Sequence, residues 1–152
     1  MAVTAAVYNQ GLVKMLSGFD FENNQIKVGI LSSSYTPNID SHEYWDDVST
    51  REVSGTGYTA GGQILAGTSD GIDVYKDTIN DRATVEEVDD LVWSKLTVNS
   101  IRYVVFYHNT GTAGTSTLLF YLNLGKTYNL VNQDFSVLFQ LTQLLRLAKK
   151  AA

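Results

Sequence analysis

The later part of the chain is a succession of strand-length runs divided by turn chemistry, and that pattern constrains the fold more than any other feature. Ile72–Lys76, Arg82–Val88, Leu91–Val98, Ile101–His108, Thr117–Leu124 and Phe135–Thr142 are rich in Val, Ile, Leu, Tyr and Phe. Asp77–Asp81, Asn99-Ser100, Asn109–Ser116 and Gly125–Gln133 lie between them and carry turn residues. With the earlier strands, this spacing predicts a mainly β domain: a β-sandwich or barrel of about eight strands with an N-terminal helix. Phe135, Val137, Phe139 and Leu141 fall on one face of their run, as do Leu118, Phe120, Leu122 and Leu124. Those two runs are predicted to pair as an antiparallel core hairpin.

The first part of the chain is more varied. Val3, Ala6, Val7, Leu12, Val13, Met15 and Leu16 recur near helical spacing, with Gly18 where a C-cap would stand, so residues 1–18 read as an amphipathic helix or arm. Gly11 weakens that helix. Over Gln25–Ser32, Ile26, Val28 and Ile30 alternate with Lys27 and Gly29, which predicts the first core strand. Ser33–Asp47 holds the chain's one proline and reads as a long excursion loop. Ser49–Gly71 contains six of the twelve glycines, at 55, 57, 61, 62, 67 and 71, a density that argues for tight bends or close backbone approach. Gly55, Gly57, Gly61 and Gly62 are the candidate backbone hinges, one or more of them needing positive φ. Residues 143–152 form a C-terminal basic tail that reads equally as strand or helix.

A length of 152 residues suits one domain, 1–152, large enough to fold without a structural metal or disulfides. The chain has no cysteine, which removes thiolate nucleophiles, zinc fingers and iron–sulfur ligation together. Eleven Lys and Arg against sixteen Asp and Glu give a net charge of −5, with the cations scattered singly except for Arg146, Lys149 and Lys150. An acidic body of this kind does not suit a phosphate backbone, so nucleic acid is not an expected partner. No apolar run reaches the length of a membrane span, and Met1–Ser17 has no leader-like pattern, so a soluble, unexported protein is expected.

Catalytic patterns are sparse. His42 and His108 are the two histidines, and neither stands in a Gly-x-Ser-x-Gly, phosphate-loop or His-Glu-x-x-His setting. Asp40, His42, Glu43, Asp46 and Asp47 could supply ligands for a metal, but their spacing matches no EF-hand, and a solvated acidic loop is the plainer reading. Glu86, Glu87, Asp89 and Asp90 form a second acidic group that reads as a turn facing water. No catalytic residue, cofactor or metal is expected.

The aromatics say more. Nine tyrosines, six phenylalanines and two tryptophans make up 11% of the chain. Tyr103, Val105, Tyr107, Leu119 and Tyr121 would give one sheet face too apolar to lie open to water, covered either by the same chain or by a partner. In the excursion loop, Tyr35, Pro37, Tyr44 and Trp45 are the candidate interface residues. The same aromatics could stack on a sugar.

Two segments carry a resemblance. Ile26-Lys-Val-Gly-Ile-Leu-Ser-Ser-Ser-Tyr-Thr-Pro-Asn38, followed by Glu52-Val-Ser-Gly-Thr-Gly-Tyr-Thr-Ala-Gly-Gly62, resembles small virion structural proteins of tailed bacteriophages. The likeness continues more loosely through Val92-Trp93-Ser94 and Tyr103–Tyr107 to Leu145-Arg146-Leu147, and departs at the basic tail. It implies a non-enzymatic protein of the virion, assembled in the host cytoplasm, with no catalytic residues to carry over. The expected function is that of a capsid decoration or cement protein, a homo-oligomer, as a trimer, bridging subunits of the major capsid protein. The alternatives are a tail or head–tail component bound to other tail proteins, or a carbohydrate- or receptor-binding module that takes a host glycan.

Overall fold

The computed structural model describes residues 2–66, 72–79, 82–86, 88–139 and 145–148. The protein is mainly β, with its strands in two antiparallel sheets. The larger sheet has five strands in the order β1 (Thr4–Val7), β7 (Leu118–Val137), β6 (Leu91–His108), β2 (Ile26–Ser32) and β3 (Gln63–Ile64). The smaller has β4 (Asp73–Asp77), β5 (Arg82–Glu86) and β8 (Leu145–Ala148). Strands β1 and β3 are the two edges of the larger sheet, so no barrel closes.

The hairpin β6–β7 is the frame, and here the expected segmentation is corrected. Asn99-Ser100 and Gly125–Gln133 do not end strands; each lies inside one long strand. Lys95, Ser100 and Asn132 adopt positive φ where the register shifts, marking extra residues in the ladder. Each freed N–H finds a side chain across the hairpin: Lys95 donates to Asp134 Oδ1 at 2.8 Å, Ser100 to Asn129 Oδ1 at 2.8 Å, and Asn132 to Thr97 Oγ1 at 3.0 Å. Polar residues that resemble turn formers in the sequence therefore let the strands bend and continue.

It follows that the runs at Leu118 and Phe135 do not pair with each other. Both belong to β7 and pair with β6, Phe120 opposite Phe106 and Phe135 opposite Trp93. Leu141 lies outside the described residues. A further irregularity between Phe106 and Tyr107 leaves Leu119 as the extra residue, so alternation is broken there: Leu119 and Phe120 share one face while Leu118 lies on the other, and Leu119 does not belong to the Tyr103, Val105 and Tyr107 face expected for it.

The N-terminal helix is shorter than expected. Thr4–Val7 pairs with Phe120–Asn123 as strand β1, and helix α1 covers Asn9–Leu16. Gly18 follows the C-cap with φ of 93°, as its position suggested. Gly11 weakens the helix intrinsically but seats it, because a Cβ there would stand 2.4 Å from the Leu119 carbonyl oxygen. The basic tail is strand over Leu145–Ala148; its remaining residues lie outside the described ones.

Each face of the five-stranded sheet has its own core. On one face Ile26, Val28, Ile30, Val104, Phe106 and Phe120 pack with Val85 and Val88 from the small sheet's side of the molecule. On the other, Tyr103, Val105, Tyr107 and Leu118 pack under Tyr8, Tyr35, Trp45 and Val48. The face that the sequence left open between self-burial and a partner is covered by the chain's own excursion loop.

Candidate functional site

The excursion loop folds back through helix α2 (Trp45–Ser49), which lays the Trp45 indole flat on Tyr107, with ring centroids 4.3 Å apart and planes 14° from parallel. The seat is Gly29. A Cβ at that position of β2 would lie 2.3 Å from the Trp45 ring, so only glycine lets the indole reach the sheet. Further along, Asn38 N–H donates to His42 Nδ1 at 3.3 Å, which makes that nitrogen an acceptor. Tyr35 Oη therefore donates to it at 3.0 Å and accepts from Tyr8 Oη at 2.8 Å. Burial pushes the Tyr35 phenol up to about 12, and burial together with Tyr35 raises Tyr8 further. These hydroxyls hold their protons at ordinary pH and act as fixed links between β1, the loop and the sheet.

Of the four candidate interface residues, Tyr35 and Trp45 are 3% and 6% exposed, and Pro37 and Tyr44 are half-buried. This corrects their expected role: Tyr35 and Trp45 are the lid of the second core and offer no free aromatic surface. A sugar-stacking platform on Trp45 is ruled out for the same reason, since one ring face already stacks on Tyr107.

Two carboxylates of the acidic loop are engaged within the fold, Asp47 on local backbone and Asp40 on a remote side chain. Asp47 Oδ2 accepts from Glu43 N–H at 2.8 Å and Tyr44 N–H at 2.9 Å, and Asp40 accepts from the Asn9 amide at 2.6 Å. Among the described residues no three His, Cys, Asp or Glu side chains converge as a metal site would require. In the second acidic group, Asp90 accepts from Phe139 N–H, and the Glu86 and Glu87 side chains lie outside the described residues.

The glycine segment has a clear geometric purpose. Gly55, Gly57, Gly61 and Gly62 all have positive φ, at 153°, 83°, 82° and 72°. At Gly62 a Cβ would stand 1.9 Å from the Val28 carbonyl oxygen, and at Gly55 2.2 Å from that of Thr97. They are crossing points where the segment runs over β2 and β6. The turns bring Glu52, Tyr58 and Gly61 together: Tyr58 Oη donates to Glu52 Oε1 at 2.6 Å, Gly61 N–H donates to the same oxygen at 2.7 Å, and Ile30 N–H donates to Tyr58 Oη at 2.9 Å. Tyr107 Oη closes the network on the Gly61 carbonyl at 2.7 Å. Burial holds the Glu52 carboxyl above its usual value, opposed by the bonds from Tyr58 and Gly61 and by Lys27. Desolvation and the Glu52 charge raise the Tyr58 phenol.

His108, the second histidine, packs edge-on to Phe19 with centroids 5.1 Å apart, and its buried Nδ1 has no hydrogen-bond partner. Burial and the Lys14 charge hold it below the usual imidazole value. A neutral ring on an apolar wall is a packing group in this setting.

One surface that exposes apolar side chains lies on α1; others include Ile79, Val131 and Leu138. Leu12, Val13 and Leu16 of α1 are 48%, 58% and 78% exposed, next to Val74 at 45%. The helix is amphipathic, yet its apolar side is turned partly outward. It borders a half-open cleft of about 260 Å³ whose walls are α1, Phe19, Phe21 and strands β4 and β5. No periodicity argument singled out this place, because helix and small sheet meet only in three dimensions.

No family model matches the chain, and no curated protein or solved structure is detectably similar to it. Among the described residues no helix is long and apolar enough to cross a membrane.

Proposed function

We propose that this chain is a non-enzymatic structural protein of a tailed-phage virion, a decoration or cement protein that bridges coat subunits. The observation that carries this reading is the folding of Glu52–Gly62. The segment that most resembles small virion proteins is a closed network in which Glu52, Tyr58 and Gly61 need one another at their spacing. A motif whose residues need one another in this way supports the resemblance, and the function proposed here is the one the resemblance implies.

The polar groups gathered in the described residues support the same reading. Glu52, Tyr58, Tyr107, Tyr8, Tyr35 and His42 bond to one another or to backbone, and together they tie the loops to the sheet. A reinforcing protein gains from such rigidity, because less order is lost when it docks. Its contacts are better supplied by the exposed α1 surface than by Tyr35 and Trp45, which the fold buries. Self-association as a trimer multiplies weak contacts over several coat subunits.

Removing the protein from particles is expected to lower the temperature at which they release DNA, and adding it back to restore that temperature. Particles equally heat-stable without it, but failing to join heads to tails, would move the assignment to the tail.

A further inference from the structure

We propose that the outer edge of β1 pairs with the same edge of a second copy of this chain, antiparallel and centred on Ala5, so that two five-stranded sheets become one continuous sheet. The pairing is a property of the chain itself and needs no particle. In the role proposed above, it joins one three-fold cluster to the next.

Four strands stand at sheet edges, β1 and β3 in the larger sheet and β4 and β8 in the smaller. Strand β3 is two residues long, β4 includes Asp73 and Lys76, and β8 includes Arg146. Short length and charge are what keep an edge from taking up another strand. Strand β1 has neither protection. Thr4–Val7 carries no charge and no proline, and its register with β7 runs without a bulge. Among the described strands it is the one edge left ready to pair.

Its backbone says what it can pair with. Tyr8 N–H donates to the Leu119 carbonyl at 3.0 Å, and this pair continues the register that sets Thr4 against Asn123 and Val7 against Phe120. Alternation along an antiparallel ladder then turns Thr4 and Ala6 towards β7, and turns the N–H and C=O groups of Ala5 and Val7 outward. Among the described residues those outward groups have no other hydrogen-bond partner. Donors and acceptors repeating at strand spacing are satisfied together by another extended backbone.

A second copy is its own complement here. A two-fold axis through Ala5 sets Ala5 of one copy opposite Ala5 of the other, and Val3 of each opposite Val7 of the other, so every outward group from Val3 to Val7 is matched. Val7 packs against the core on the α1 side, and Val3, 57% exposed, shares that face by alternation and meets the other copy's Val7 across the new pair. Charge agrees, although each chain carries −5. Residues 2–9 contain no charged side chain; Asp40, bonded to Asn9, stands at the Tyr8 end, and Lys126 lies beyond Asn123 on β7, towards the Thr4 end. The two-fold lays each acidic end towards the basic end of the other copy. Of the other charges near this part of the fold, Lys14 is on α1, and Glu22 and Asp73 stand at β4, where Glu22 accepts from Val74 N–H at 3.2 Å.

Sedimentation equilibrium of the full chain over a dilution series tests the pairing, with Ala5→Lys and Ala5→Glu studied singly and mixed. The parent is expected to reach at least twice the mass of either variant, because identical charges then fall directly opposite at the axis. Mixing the two variants should restore the parental mass, since lysine now faces glutamate. Amide exchange at Val7 should slow with concentration in the parent and stay fast in each variant, while Ala6, turned towards β7, stays protected in all of them. If a charge at position 5 loosens β1, Ala5→Pro serves instead, because it removes only an outward N–H, and it should lose the same mass. Equal mass in parent and variants, a mixture that stays dissociated, or equal protection of Val7 in all chains would overturn the pairing. Protection of Val7 on particles alone, with the free chain unpaired, would give the edge to a coat strand and overturn it too. Loss of DNA at an unchanged temperature would sink the particle role and leave the pairing, measured in solution, standing.

Discussion

The two sides of the five-stranded sheet meet their covers differently. On one, the loop from Ser33 to Ser49 closes over Tyr103, Val105 and Tyr107 and leaves Trp45 6% exposed. On the other, α1 spans the gap toward the small sheet incompletely and leaves Leu16 78% exposed beside a cleft. Aromatics in a polar loop look like a binding surface and are core; apolar residues on a helix look like core and are surface. Exposure follows from what the backbone can approach. Gly29 lets Trp45 reach the sheet, and among the described residues nothing comparable brings a second element over the outer side of α1.

Trp45→Ala should show the contrast most strongly. Emptying the stacked site over Gly29 is expected to cost about 3–5 kcal/mol, whereas Leu16→Ala should stay within about 0.5 kcal/mol of the parent. Urea unfolding of both variants checks this, and equal losses would mean that the two sides are closed alike.

Gly62→Ala comes next. It places a methyl against the Val28 carbonyl and imposes a left-handed conformation on alanine, so a loss of about 3 kcal/mol is expected. Gly111 has a similar φ of 86° but open space around it, and Gly111→Ala should cost only about 1–2 kcal/mol. Thermal melts of the pair separate crossing-point crowding from backbone strain.

Tyr35→Phe removes the middle hydroxyl of the Tyr8–Tyr35–His42 chain and strands the buried Tyr8 hydroxyl, at a cost of about 1–3 kcal/mol. A smaller loss in Tyr8→Phe,Tyr35→Phe than in Tyr35→Phe alone would confirm that the stranded group is the cause. Additive losses would argue that the two hydroxyls act independently.

The smallest effect concerns pH. Glu52 has its carboxyl value raised by burial, so between the unfolded and folded values the native state holds more protons than the unfolded chain. Its contribution to stability is therefore greatest at pH below the unfolded carboxyl value and is lost as pH rises through the folded one. Glu52→Gln keeps an oxygen for Tyr58 and Gly61 but cannot titrate. The stability of the parent relative to this variant should fall across that weakly acidic range; a difference that is flat or rises would show that the two hydrogen bonds outweigh burial.

Much of the fold was legible. Ile26, Val28 and Ile30 alternate and are 1%, 0% and 0% exposed, and Gly18 ends its helix where expected. What misled was local chemistry with two uses. Asn99-Ser100 and Asn132 are turn residues in isolation, yet in the hairpin they are bulges, because Asn129 and Thr97 accept the freed N–H groups from the facing strand. Thr4–Val7 has helical spacing but pairs with β7, whose edge would otherwise stand open. The Glu52–Gly62 motif was visible as a pattern; its meaning as a hydrogen-bonded network was not, since Tyr107 and Ile30 are distant in sequence.

The amino-acid pattern by itself determined the mainly β class, the first core strand and the glycine-dense segment where tight bends were expected, because period-two burial and turn propensity are local properties of a chain. The tertiary structure alone decided which aromatics became a lid, which bends became bulges and where a cleft remained. Those depend on groups brought together from remote positions, Gly29 under Trp45 and strands β4 and β5 across the cleft from Leu16, and no local rule contains that information.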